Sequence, residues 1–135
     1  MIFEELAKQL KEHEGFRRNP YKCTEDRWTV GYGRNLSDKG ITEEEAMCLL
    51  KNDINECYAD LSPLFVQFEL LSDSIQHVLL NMRFQLGARG FRSFEKMITA
   101  VNNHNQKEFV AEMRDSKWYR QVPNRAENLI KRIEE

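Results

Sequence analysis

The stretch Glu14–Thr29, EGFRRNPYKCTEDRWT, constrains this chain more than any other, because it interrupts a helical pattern with residues that suit a break, a strand and a turn. Before it, residues 2–13 place Ile2, Phe3, Leu6, Ala7 and Leu10 on one face with Glu and Lys opposite, the spacing of an amphipathic helix. Gly15 stops that helix. Glu14 therefore sits at its C-terminal end, where the macrodipole disfavours a negative charge and favours the protonated acid. The Thr24-Glu25-Asp26-Arg27 run then favours a turn, so that a carboxylate (Glu14), a thiol (Cys23) and a hydroxyl (Thr29) converge if the chain folds back as a hairpin. Trp28–Tyr32 alternates bulky and small residues as a short strand does, and Gly31 and Gly33 predict close approach of backbone or ligand.

Beyond Arg34-Asn35-Leu36 a turn is expected over Ser37–Gly40, and Thr42-Glu43-Glu44-Glu45 reads as a capping box that opens a helix. Ala46, Leu49, Leu50, Ile54, Cys57, Tyr58 and Leu61 form its apolar face, and Pro63 ends it. From Leu64 onward the pattern predicts helices only. Ser72 or Asp73 caps a segment bearing Ile75, Val78, Leu79, Met82 and Leu86, ended by Gly87, and a loop with Arg89-Gly90 follows. A helix with Phe94, Met97, Ile98 and Val101 is broken by the polar run 102–105. Phe109, Val110 and Met113 mark another helix, Trp118 and Tyr119 follow, and Pro123 starts a last one with Ala126, Leu129, Ile130 and Ile133. The expected class is α+β, mostly α.

A chain of 135 residues is one domain's worth and buries a usable core. Twenty Lys and Arg against 22 Asp and Glu leave no overall field toward nucleic acid, and no continuous basic stripe is present. The charge is uneven: residues 41–73 hold one basic and eight acidic groups, and 74–135 hold eleven and seven. That asymmetry suits a C-terminal segment facing an anionic polymer, and it equally suits solvated helix faces. Cys23, Cys48 and Cys57 have neither metal-ligand spacing nor a C-x-x-C pattern, so they read as free thiols from a reducing compartment. The expectation is of a protein made in the host cytoplasm without a signal peptide, with no stable membrane insertion.

Glu14, Cys23 and Thr29, followed by Gly31-Tyr32-Gly33, resemble the catalytic signature of the phage-type lysozymes, glycoside hydrolase family 24, which includes the T-even phage lysozyme. The resemblance continues in Asn81-Met82-Arg83-Phe84-Gln85-Leu86-Gly87 and in Ser116–Ala126, and so covers nearly the whole chain in order. It implies a single lysozyme-like domain, with a small hairpin-containing lobe over about 15–40 and a connecting helix over about 43–61. It also implies a helical lobe over about 64–135, on which helix 2–13 packs. The implied activity is that of a muramidase or endolysin, cleaving the β-1,4 bond between N-acetylmuramic acid and N-acetylglucosamine of bacterial peptidoglycan. It further implies a holin for export, action at the cell wall or periplasm after release, and no cofactor or metal. A monomer is the default expectation.

In that reading Glu14 is the general acid, Arg125 its cationic partner, and Thr29 holds the attacking water. Cys23 stands where the best-known members have an aspartate, and its neighbours Lys22 and Arg27 offer a means to lower the thiol pKa. An inverting route follows by analogy. The missing second carboxylate keeps a lytic transglycosylase open, and an inactive wall-binding module is a third reading. Singly, each residue has an ordinary alternative: a surface glutamate, a semi-buried cysteine, a strand threonine. Arg34 and Asp53 match a family pair and are expected to pin the small lobe to the connector. Phe84 matches a cleft aromatic, with a core role as its alternative, while Phe94 and Glu112 fall at cleft positions that are polar and uncharged in the best-known member.

Overall fold

The computed structural model describes residues 2–135. Its chain forms two compact units, Met1–Cys48 and Leu49–Glu135. In the first, α1 (Phe3–Glu14) ends at Gly15, which takes φ 70°. A three-stranded antiparallel sheet follows, in the order β1 (Arg17–Lys22), β2 (Trp28–Gly31), β3 (Arg34–Asn35). The expected hairpin thus gains a third strand.

The β1–β2 register pairs Tyr21 with Thr29 and Lys22 with Trp28, and a bulge separates these from the Arg17–Gly31 pair. Pro20 lies within that irregular stretch of an edge strand, where its missing N–H interrupts the ladder at little cost. The hairpin loop is a three-residue type: the Asp26 amide donates to the Cys23 carbonyl at 2.9 Å, and the Cys23 amide donates to the Arg27 carbonyl at 2.9 Å. Asp26 takes φ 60°, the left-handed position such loops require, and Asp tolerates it better than most residues with a Cβ.

The residues expected as a turn after Leu36 form one turn of helix instead, α2 (Leu36–Lys39), because the Asn35 side chain accepts from the Asp38 amide and caps it. The capping box is formed as expected. The Thr42 hydroxyl accepts from the Glu45 amide at 3.1 Å, and the Glu45 carboxylate accepts from the Thr42 amide at 2.8 Å. It opens α3 (Glu43–Leu61), whose chain continues into the second unit.

The second unit is helical: α4 (Asp73–Arg92), α5 (Glu95–Asn102), α6 (Gln106–Arg114), α7 (Lys117–Gln121) and α8 (Pro123–Glu134). Ser72 caps α4 through its hydroxyl, which accepts from the Ile75 amide. Gly87, at φ 79° and ψ 169°, breaks α4, but residues 88–92 resume a helical turn where a loop was expected. The apolar periodicity behind this unit's helices becomes one core, with Leu61, Phe68, Val78, Leu79, Met82, Phe91, Met97, Phe109, Met113 and Ile130 at its centre. On α3, by contrast, only Cys57 and Leu61 are buried, while Leu49, Leu50, Ile54 and Tyr58 remain exposed. Among the described residues no helix is long and apolar enough to cross a membrane.

Candidate active site

The first unit holds Glu14, Cys23 and Thr29, and its hairpin sets Cys23 beside Thr29. Arg27's carbonyl is the knot: it accepts from the Cys23 amide at 2.9 Å and from the Thr29 hydroxyl at 3.0 Å. Thr29 is 5% exposed, so its side chain is held by the sheet rather than by solvent. Its hydrogen is donated to the Arg27 carbonyl, which leaves the lone pairs of the hydroxyl oxygen as acceptors.

Cys23 is half-buried beside this hydroxyl. Its thiol pKa is lowered chiefly by the backbone N–H of Arg27 and then by that of Glu25, while partial burial and the Glu25 charge oppose the shift. This corrects the sequence reading. The ammonium of Lys22 lies 3.4 Å from Asp26 and over the Trp28 ring, and the Arg27 guanidinium lies 3.4 Å from Asp38. The hairpin backbone, rather than a neighbouring cation, favours the thiolate.

Glu14 is exposed, at the last position of α1. Its carboxylate packs against Gly33: a Cβ built on that glycine would lie 2.7 Å from Glu14 Oε2 and 2.9 Å from Cδ. The close approach expected at both glycines is thus found at Gly33 and not at Gly31, and it is between the chain and its own carboxylate.

Arg34 is held within the first unit. Its guanidinium forms a two-pronged pair with Glu45, with Nη1 at 2.9 Å from Oε1, and Nη1 also donates to the Gly40 carbonyl at 3.2 Å. The capping box fixes Glu45 in the first turn of α3, so its carboxylate is already ordered when the guanidinium meets it. The pair, together with the Thr42 amide, holds Glu45's carboxyl down to about 2. Asp53 is exposed.

In the second unit Phe84 is 45% exposed and belongs to a surface groove rather than to the core. That groove, of about 490 Å³, is lined by Leu50, Ile54, Leu80 and Phe84 with His77, Asn81 and Arg125 at its polar edge. Arg125 is anchored there by Asn81, whose Oδ1 accepts from Nε at 3.1 Å and from Nη2 at 2.8 Å. Asn81 stands in the 81–87 motif, where nothing in the sequence marks it as a guanidinium acceptor.

The rest of that motif is equally specific. Arg83, 8% exposed, donates from Nε to Asp60 at 2.9 Å, and Arg92 takes the other Asp60 oxygen at 2.8 Å. Gln85 accepts from the Trp118 indole at 2.9 Å. Phe94 and Glu112 line a second groove, of about 480 Å³, where Phe94 meets Trp118 edge to face. Glu112's carboxyl is pushed up by its hydrogen bond with Glu108, one turn earlier on α6. Among the described residues no group of three or more His, Cys, Asp or Glu side chains is disposed to hold a metal ion.

The chain is 30% identical to peptidoglycan hydrolase gp36 of Pseudomonas phage phiKMV, over 93% of this chain and 15% of that protein. It is 27% identical to the pre-baseplate central spike protein Gp5 of Enterobacteria phage T4, over 92% and 26% respectively. A probable T4-type lysozyme 1 of Dictyostelium discoideum is 25% identical over 96% of this chain and 93% of its own length. The chain thus spans a minor part of the two phage proteins and nearly all of the third. The model of the family described as phage lysozyme matches residues 11–135, a span that holds Glu14, Cys23, Thr29 and Arg125 together, and the chain belongs to that family.

Proposed function

We propose that the chain is a muramidase of the endolysin type, which hydrolyses the β-1,4 bond between N-acetylmuramic acid and N-acetylglucosamine in bacterial peptidoglycan. The observation that carries this reading is the family match over residues 11–135, and the name of the phiKMV relative, a peptidoglycan hydrolase, agrees with it. The geometry of the small unit supports the assignment of roles. Glu14 delivers a proton to the leaving glycosidic oxygen. Thr29 orients the attacking water through its lone pairs, and an ionised Cys23 supplies negative charge toward the oxocarbenium-like transition state and takes up the proton that the water loses.

The groove of Phe84 and Arg125 is assigned to substrate, and Phe84→Ala is expected to raise KM more than it lowers kcat. Delivery to the wall through a holin, and action as a monomer, belong to the same reading on the strength of the resemblance. Digestion of purified peptidoglycan by wild type and by Glu14→Gln tests it, with masses and reducing ends analysed. New muramic reducing ends from wild type, with a loss of ~10²–10⁴-fold in the variant, are the expected result. Anhydro-muramic ends would replace hydrolysis by transglycosylation, and no cleavage by wild type would leave a wall-binding module.

A further inference from the structure

We propose that the turn joining β2 to β3 positions the Glu14 carboxylate, with Gly33 as its backing surface and Tyr32 as the clasp that fastens the turn to the end of α1. The inference rests on the reading of Glu14 as proton donor. Glu14 is the last residue of its helix and is exposed, so packing within α1 does not choose its side-chain conformation. The backbone of the turn does.

A Cβ at Gly33 would lie 2.7 Å from Glu14 Oε2, 2.9 Å from Cδ and 3.2 Å from Cγ, distances at which atoms overlap. The carboxylate therefore occupies the volume that any side chain at position 33 would fill. Gly31 provides an internal comparison. Both glycines take left-handed backbone, at φ 67° and 76°, but a Cβ at Gly31 meets nothing within 4 Å. Gly31 is needed for the turn's conformation alone, whereas Gly33 is needed for conformation and for the space given to Glu14.

Tyr32, between them, is held by α1 and the residue pair that follows it. Its ring centroid is 5.6 Å from that of Phe16, tilted by 51°, and the Lys11 ammonium in the last turn of α1 lies 5.5 Å from it. These contacts tie the turn to the same helix end that carries Glu14. Loosening Tyr32 should free the surface behind the carboxylate, and adding a methyl group at Gly33 should push the carboxylate off it.

The experiment compares Gly33→Ala, Gly31→Ala, Tyr32→Ala and Tyr32→Phe in the full chain. It measures Tm, kcat and KM on peptidoglycan, and the ¹³C chemical shift of the Glu14 carboxyl by NMR at one fixed pH. Both glycine variants should lower Tm by similar amounts, since each places alanine at positive φ. Gly33→Ala should lower kcat ~10–100-fold with KM within ~threefold and should move the Glu14 carboxyl resonance, the signature of a displaced reacting group. Gly31→Ala should keep kcat within ~threefold and leave the resonance in place. Tyr32→Ala should follow Gly33→Ala in direction, and Tyr32→Phe, which keeps the ring, should recover both readouts.

Equal loss of kcat in the two glycine variants, or a wild-type Glu14 carboxyl resonance in Gly33→Ala, would overturn the proposal. Wild-type turnover by Glu14→Gln together with a moved resonance in Gly33→Ala would support the contact and overturn the donor reading alone.

Discussion

The two units hold their functional side chains by different means. Among the described residues up to Cys48, Thr29 is the one buried side chain, and every buried apolar residue of the core lies at Cys57 or beyond. In the helical unit a side chain stays in place because close-packed neighbours leave it no alternative. In the sheet unit, position comes from backbone hydrogen bonds, two caps, three ion pairs and glycines at positive φ. The residues assigned to chemistry sit in the thinly packed unit. There a substitution should alter geometry and activity without much change in global stability, and in the helical unit the reverse should hold.

Phe91→Ala is the strongest way to press that comparison. Phe91 is fully buried against Phe65, and its truncation should cost ~3–5 kcal/mol in urea unfolding. Phe16→Ala, at an exposed ring in the other unit, should cost no more than ~1 kcal/mol. Equal losses would erase the distinction between the units.

Asp60→Ala should follow, at ~3 kcal/mol, because it strands the buried Arg83 guanidinium. The Arg83 hydrogen bond, with that of Arg92, holds Asp60's carboxyl below its ordinary value. The folded pKa lies below the unfolded one, so the contribution is full above about pH 4 and is lost as pH falls through the folded value. Wild type should therefore lose more stability than Asp60→Ala on acidification below about pH 4.

Cys23→Ser tests the sheet unit in the opposite currency. It should leave the urea midpoint nearly unchanged and lower kcat ~10²-fold, if an ionised thiol faces the transition state. The hairpin N–H groups lower the thiol pKa, so wild-type kcat should rise with pH on its alkaline side at a value below the ordinary ~8.5. Cys23→Ser should lack that rise, and Cys23→Asp should shift it to acid pH. A pH–rate profile identical in wild type and Cys23→Ser would remove the thiolate from the mechanism.

The difference between the units also explains what could be read from sequence. Periodicity located the core helices because a core selects apolar residues at helical spacing: Val78, Leu79 and Met82 on α4, Leu129 and Ile130 on α8. Spacing brought out Glu14, Cys23 and Thr29, and turn chemistry predicted the hairpin that joins the last two. Partner choice was less legible. Arg34 meets Glu45, and the thiol is served by Arg27 and Glu25 amides instead of cations. Backbone N–H groups carry no residue-type signal, and an ion pair between exposed groups depends on which carboxylate is already ordered. The one available clue was the capping box itself, which fixes Glu45 before any guanidinium arrives. Likewise the β3 strand of two residues is too short to show alternation.

That capping box supplies the smallest test, at the point where α3 leaves the sheet unit. Thr42→Ala removes the hydroxyl that accepts from the Glu45 amide, and it should cost ~1 kcal/mol. The loss should appear locally, as faster hydrogen exchange at the Ala46 amide, which donates to the Thr42 carbonyl at 2.9 Å. Glu45 adds a pH dependence of defined sign. Its carboxyl is depressed to about 2 by Arg34 and Thr42, so the stabilisation it gives is complete above its ordinary value of ~4.3 and disappears as pH falls toward 2. Exchange at Ala46 should then differ between wild type and Glu45→Gln at pH 6 and converge near pH 2, while the core amides of α4 exchange at the same rate in both. If the α4 amides accelerate together with Ala46, the helix start is coupled to the core, and the sheet unit is not held by local contacts alone.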